Sequence, residues 1–165
     1  MNNVLDSLAA RFPSVDVTRA ATAARRIYLS VPAELFIEVI GYAAKELGFD
    51  HLSTVTGLDS GSGYEFLYHI SGPDGILMTL KYKTADGDGV TIPSVLPIYP
   101  GASFYERELE GLLGVRVEGL PPDRQYPLPD NWPEGQYPMR KGWKPPSADE
   151  RRAQAKQDSQ EGYRG

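Results

Sequence analysis

Eight of the chain's fourteen prolines fall between Arg116 and Pro146. Proline has no backbone N–H and biases the residue before it away from helix. This stretch is therefore excluded from regular helix and from the middle of a sheet, and must run extended and in turns. It is not an ordinary linker. It holds both tryptophans, Trp132 and Trp143, together with Tyr126, Leu128, Tyr137 and Met139, whereas disordered segments are poor in large apolar groups. Those side chains need cover from their own domain or from another protein. Arg116, Arg124, Arg140 and Lys141 add cationic groups suited to a charged partner surface.

A short helix precedes the arm. Ser103 and Glu106 have the S-x-x-E spacing of a capping box. Tyr105, Leu109, Leu112 and Leu113 then share one face at helical spacing. Gly114 is placed to end the helix in a left-handed conformation. Glu106, Arg107, Glu108 and Glu110 occupy the other side. They form either a solvated face offset by Arg107 or groups docked against basic groups of a partner.

Helix and arm together, YERELEGLLGVRVEG followed by DRQYPLPDNWPEGQYPMRK, resemble the C-type subunit family of respiratory complex I, the NADH-quinone oxidoreductase. They are similar also to the matching subunit of energy-converting membrane-bound nickel–iron hydrogenases. The resemblance rests on an E-R-E triplet (Glu106, Arg107, Glu108), the Leu112-Leu113-Gly114 step, Gly119, an L-P-D-N-W segment (Leu128 to Trp132) with Gly135, and the P-M-R-K close (Pro138 to Lys141). Gly111 stands where the family usually has an acidic residue, and Leu120 where it usually has His or Lys. The W-P-E-G-x-Y-P spacing is closer to the hydrogenase branch.

The resemblance implies a non-catalytic structural subunit in the peripheral arm of a complex-I-like membrane-bound oxidoreductase. It would dock on the large catalytic subunit, the one that forms the quinone site in complex I or holds the nickel–iron centre in the hydrogenases, and lie beside iron–sulfur subunits. No cofactor is implied in this chain. Iron–sulfur clusters and a nickel–iron centre or quinone site would belong to its partners, and electron transfer coupled to ion translocation to the whole complex. A peripheral position on the cytoplasmic side of the cell membrane follows. The residues implied in partner binding are Glu106, Arg107, Glu108, Arg124, Trp132, Tyr137, Arg140, Lys141 and Trp143.

The rest of the chain reads as a platform. At 165 residues it can bury a real core in one domain. Its net charge of −5 gives no electrostatic case for nucleic acid. No apolar run is long enough to span a membrane, and MNNVLDSLAARFPS lacks the pattern of a signal peptide. Cysteine is absent, which excludes disulfides and cysteine-ligated clusters in this sequence.

Residues 2–12 suggest an amphipathic helix, Val15 and Val17 a first strand, and Ile27, Leu29 and Val31 a second. Arg19, Arg25 and Arg26 read as a solvated hairpin end. Pro32 opens the main helix, whose buried stripe is Phe36, Val39, Ile40, Ala43 and Leu47. Strands follow at 51–58, 64–71 and 76–83, the last two joined by a Gly72-Pro73-Asp74-Gly75 turn. Gly57 to Gly63 reads as a flexible hairpin loop, and the Asp86 and Asp88 loop as a plain turn rather than a calcium site. Residues 90–98, carrying Pro93 and Pro97, suggest an edge or bulged strand.

The expected fold class is α+β, a two-layer domain with helices on one face of a mixed sheet, followed by the extended proline-rich arm. The expected organisation is a core at 1–115, a partner-binding arm at 116–146 and a disordered polar tail at 147–165. The alternative function is a stand-alone small-molecule enzyme using His51, His69 or a carboxylate on the polar sheet face. No nucleophile elbow, zincin, phosphate-loop or dinucleotide pattern accompanies those groups.

Overall fold

A computed structural model describes residues 2–19, 25–85, 87, 89–123, 126–147 and 150. Arg124, Asp86 and Asp88 lie outside the described residues, as does the expected tail apart from Ser147 and Glu150.

The chain begins with helix α1 (Asn2–Arg11), then strands β1 (Asp16–Arg19) and β2 (Arg26–Ser30). Leu8 of α1 and Phe12 just beyond it are buried. Pro32 does not itself open the main helix. It precedes a single 3-10 turn, Ala33–Leu35, and helix α2 starts at Phe36 and runs to Lys45. Four of the five stripe residues, Phe36, Val39, Ile40 and Ala43, are fully buried.

Strands β3 (His51–Asp59), β4 (Tyr64–Ser71) and β5 (Leu77–Lys83) follow. With β1 and β2 they make one five-stranded sheet in the order β1-β2-β5-β4-β3. The β2–β5 pair is parallel and the others antiparallel, so the sheet is mixed. On β4 every second residue, Tyr64, Phe66, Tyr68 and Ile70, is buried, the alternation of a strand with one face on a core. The β4–β5 turn is tighter than a proline-set turn. Asp74 and Gly75 both have positive φ, 59° and 66°, and Ile76 donates its N–H to the Pro73 carbonyl. Consecutive left-handed residues match the twist of a hairpin.

The segment 90–98 does not join the main sheet. Only β6 (Thr91–Pro93) is strand, and it pairs in parallel with β7 (Arg116–Glu118) in a separate two-stranded sheet. Beyond Pro93 the chain turns, with the Ile98 and Tyr99 N–H groups both donating to the Val95 carbonyl. It then enters a 3-10 turn, Pro100–Ala102, and helix α3 (Ser103–Leu113).

All three helices lie on one side of the five-stranded sheet. Phe36 packs its ring 4.6 Å from that of Tyr68 and 4.4 Å from that of Tyr82, and Phe12 meets Tyr42 of α2 edge-on at 5.5 Å. Helix α3 crosses β3 at Gly57. A Cβ there would sit 2.5 Å from Leu113 Cδ1 and 2.6 Å from Leu109 Cδ2. Gly57 thus belongs to the strand and not to the hairpin loop, and it is glycine because a helix lies against it. The core formed this way is the two-layer α+β arrangement that the patterning implies.

Candidate partner interface

The capping box does not form. Ser103 is the first residue of α3, Ala102 stands at the cap position, and no side chain caps the helix. The preceding 3-10 turn leads the backbone straight into the helix, so Ser103 is not in capping geometry. Glu106 turns elsewhere. It is fully buried. Its Oε1 accepts the Val95 N–H at 2.6 Å and its Oε2 accepts the Ser94 hydroxyl at 2.7 Å. Burial holds its carboxyl above the usual range, against the lowering effect of those two bonds, and the nearby Glu110 charge pushes the same way. Glu106 is therefore not part of a solvated face.

Its neighbours also bind within the chain. Arg107 donates from Nη2 to the Pro121 carbonyl at 2.7 Å and lies 3.8 Å from Asp123. Glu108 is half-buried. Glu110 accepts the Val117 N–H at 2.9 Å and so ties α3 to β7. On the face opposite the solvent, Tyr99 and Tyr105 donate their hydroxyls to the carbonyls of Phe49 and Ser53.

The arm opens as strand β7, and its described residues from 126 on are a succession of turns folded back on α3. The turns are closed by Trp132 to Pro129, Arg140 to Tyr137 and Trp143 to Arg140, N–H to carbonyl. Two glycines let the arm come close. A Cβ on Gly111 would lie 3.1 Å from the Tyr126 carbonyl, and one on Gly114 would fall 2.4–2.6 Å from atoms of the Tyr137 ring. Gly114 has φ 71° and ends the helix as expected. The departure at Gly111 thus has a steric meaning here: an acidic side chain would occupy the arm's path.

The P-M-R-K segment sits at the end of α3. Met139 donates its N–H to the Leu112 carbonyl at 3.0 Å. Arg140 donates from Nε to the Leu113 carbonyl at 2.7 Å and from Nη2 to the Gly114 carbonyl at 3.4 Å. A cation at orphan carbonyls offsets the negative end of the helix dipole. Its guanidinium also lies over the Tyr137 ring at 4.4 Å. Lys141 donates its N–H to Asp59 Oδ2 at 2.8 Å and its Nζ–H to the Ser60 carbonyl at 2.9 Å. The Lys141 and Gly61 N–H bonds hold the Asp59 carboxyl below its usual range.

Trp132 and Trp143 are half-buried with ring centroids 6.1 Å apart. Both indole N–H groups donate to Gln136, one to its carbonyl and one to its Oε1. Asp59, Tyr64, Tyr137, Arg140, Gly142 and Trp143 line an open cavity of about 430 Å³ between arm and sheet.

The structure thus gathers Tyr137, Arg140, Lys141, Trp132 and Trp143 at the C-terminal end of α3 and sends Glu106 into the interior. Sequence reasoning missed Asp59 and Ser94, and did not foresee that Glu110 bonds to β7. Asp59 opens a glycine-rich turn, a place where a carboxylate collects backbone N–H groups. Ser94 carries no local signal, because its partner Glu106 lies twelve residues on in another element.

The histidines stay apart from this region. His51 is exposed. His69 Nδ1 shares a hydrogen bond with the Thr79 hydroxyl at 2.9 Å, and burial, with Arg26 nearby, holds its imidazole below the usual range. Among the described residues no three His, Asp or Glu side chains stand as a metal-holding group.

Residues 29–149 match the family described as the 30 Kd subunit of respiratory-chain NADH dehydrogenase. The chain belongs to this family. It is 30% identical over 142 residues to the C-type subunit of F(420)H(2) dehydrogenase from Methanosarcina mazei, covering 85% of this chain and 89% of that protein. It is 29% identical over 146 residues to Hydrogenase-4 component G of Escherichia coli, covering 84% of this chain but 25% of that protein. In that relative the domain is part of a much longer polypeptide. The fold is shared with a chain of the archaeal membrane-bound sulfane sulfur reductase, a respiratory membrane complex, at a TM-score of 0.79 and 23% identity over 94% of this chain and 91% of that one. The family accordingly spans complex I subunits and energy-converting hydrogenase components. No described helix is long and apolar enough to cross a membrane.

Proposed function

We propose that this chain is a non-catalytic assembly subunit of a complex-I-like membrane-bound oxidoreductase, docked on the large catalytic subunit through α3 and the arm. The observation that carries this reading is the relative in which the domain occupies a quarter of one continuous polypeptide. A domain that is a separate chain in one member and a covalent part of a larger one in another acts beside the same neighbour in both. The absence of cysteine supports a role without an iron–sulfur cluster of its own. Clusters, and a nickel–iron centre or a quinone site, then reside in partner subunits. The chain is a peripheral component on the cytoplasmic side, held to the membrane by the assembly. The core at 1–115 is the platform and the arm at 116–146 the element through which Trp132, Tyr137, Trp143 and the cations beside them reach or frame the partner.

The test is co-expression with the protein of the same organism that matches the rest of Hydrogenase-4 component G. A stable pair whose clusters all fractionate with the partner is the expected result. A lone, stable chain with turnover on a small molecule would instead favour an enzyme working from the His51 and His69 face.

A further inference from the structure

Six large apolar side chains are well exposed among the described residues: Tyr28, Ile37, Leu58, Phe104, Tyr126 and Met139. Tyr28 and Leu58 stand singly on the uncovered sheet face and Ile37 on α2. The other three lie along α3 and the arm: Phe104 and Tyr126 are in ring contact, and Met139 is tied by its backbone to the last turn of the helix. The Phe104 ring, 63% exposed, meets that of Tyr126 edge-on at 5.6 Å. The Tyr126 carbonyl and Leu128 then pass over Gly111, and the Met139 backbone is bonded to Leu112, one residue further along the helix. Single exposed apolar residues are ordinary on a soluble surface, whereas a contiguous set marks a place where something docks. The uncovered sheet face is different in kind. It carries Glu65, His69, Lys81 and Lys83 among separate apolar side chains, with Lys83 and Glu65 paired at 2.6 Å, the composition of a mostly solvated face.

Resting on the function just proposed, we propose that the exposed Phe104–Tyr126 pair, together with Met139 at the last turn of α3, is the surface that the large partner covers. The occupant is the polypeptide corresponding to the rest of Hydrogenase-4 component G, because in that relative this domain and that polypeptide are one chain and stay together. Its contacting surface is apolar at the centre, where aromatic anchors are desolvated, and polar at the rim. Intramolecular bonds from Arg140 and Lys141 hold the arm in place, so the patch exists before the partner arrives and costs little ordering on binding.

The experiment uses the full chain co-expressed with that partner. The photo-crosslinking residue p-benzoylphenylalanine replaces Phe104, Tyr126 or Met139 in turn, with Tyr28 and Leu58 as sheet-face controls. Irradiation is expected to link the partner from the three patch positions and not from the controls. The double variant Phe104→Ser, Met139→Ser, whose sites are exposed and spare the core, is expected to weaken the pair by about tenfold or more, the effect of losing an anchor worth roughly 1.4 kcal/mol. Links from the sheet-face positions at equal or greater yield would overturn the patch while leaving the subunit role standing. A product of two linked copies of this chain would make the occupant a second copy and overturn the assignment. Failure of the unsubstituted chain to co-purify would overturn the functional reading itself.

Discussion

A carboxylate with no exposed surface has to be held, and Glu106 is held by the Ser94 hydroxyl and the Val95 N–H. It fixes the segment that joins β6 to α3. Replacing it by Ala strands two donors, and leaving a buried donor unpaired costs about 1–3 kcal/mol. Glu106→Ala is therefore expected to lower the unfolding free energy by that order, read from urea denaturation. Its pH dependence has a definite sign. Burial raises the folded-state value above the ordinary 4.5, so the contribution to stability is fully present while the group is protonated in both states. It is lost as pH rises through the raised value. Glu106→Gln should remove that decline, seen as a flatter stability profile than wild type on the alkaline side of the ordinary glutamate range. Ser103 makes the opposite point. With no cap bond in place, Ser103→Ala should change the unfolding free energy by no more than about 0.5 kcal/mol, as surface substitutions do.

Helix α3 is the element to which the rest is keyed. It presses on β3 at Gly57, ties to β7 through Glu110, and receives the arm at Gly111 and Gly114. Gly57→Ala puts a methyl into the space of Leu109 and Leu113. Overpacking of this kind costs about 1–3 kcal/mol, and thermal unfolding should show the loss. Arg140 bonds the final carbonyls of α3, and Lys141 bonds Asp59 at the β3–β4 turn. Arg140→Ala should free the arm, read as faster proteolytic cleavage between 126 and 143 and as a red shift of tryptophan emission. Arg140→Lys should rescue it only in part, since an ammonium lacks the forked geometry that reaches two carbonyls from above Tyr137. The Asp59 contact has the reverse pH sign to Glu106. Its folded-state value is depressed, so the contact is present above the ordinary aspartate range and is lost as pH falls through the depressed value.

At the scale of the molecule the three helices cover one face of the five-stranded sheet and leave the other uncovered. The purified chain should carry no stoichiometric iron and no visible-range absorbance, because it offers no thiolate. Iron analysis of the recombinant protein checks this, and iron at one or more atoms per chain would refute it.

Much of this was legible from residues alone, because periodicity is local. The β4 alternation, the α2 stripe and the Gly114 stop each follow from neighbours a few positions apart. The family was legible too, from a run of residues in helix and arm. What the tertiary structure decided were the pairings across distance. Glu106 left its apparent cap for Val95, eleven residues back. The 90–98 segment found its strand partner at 116–118 instead of the main sheet. Gly57 became a contact point only once α3 lay on it. A sequence states which conformations each short stretch can adopt. Which buried donor meets which acceptor depends on how the stretches pack, and only the folded chain brings those atoms within reach.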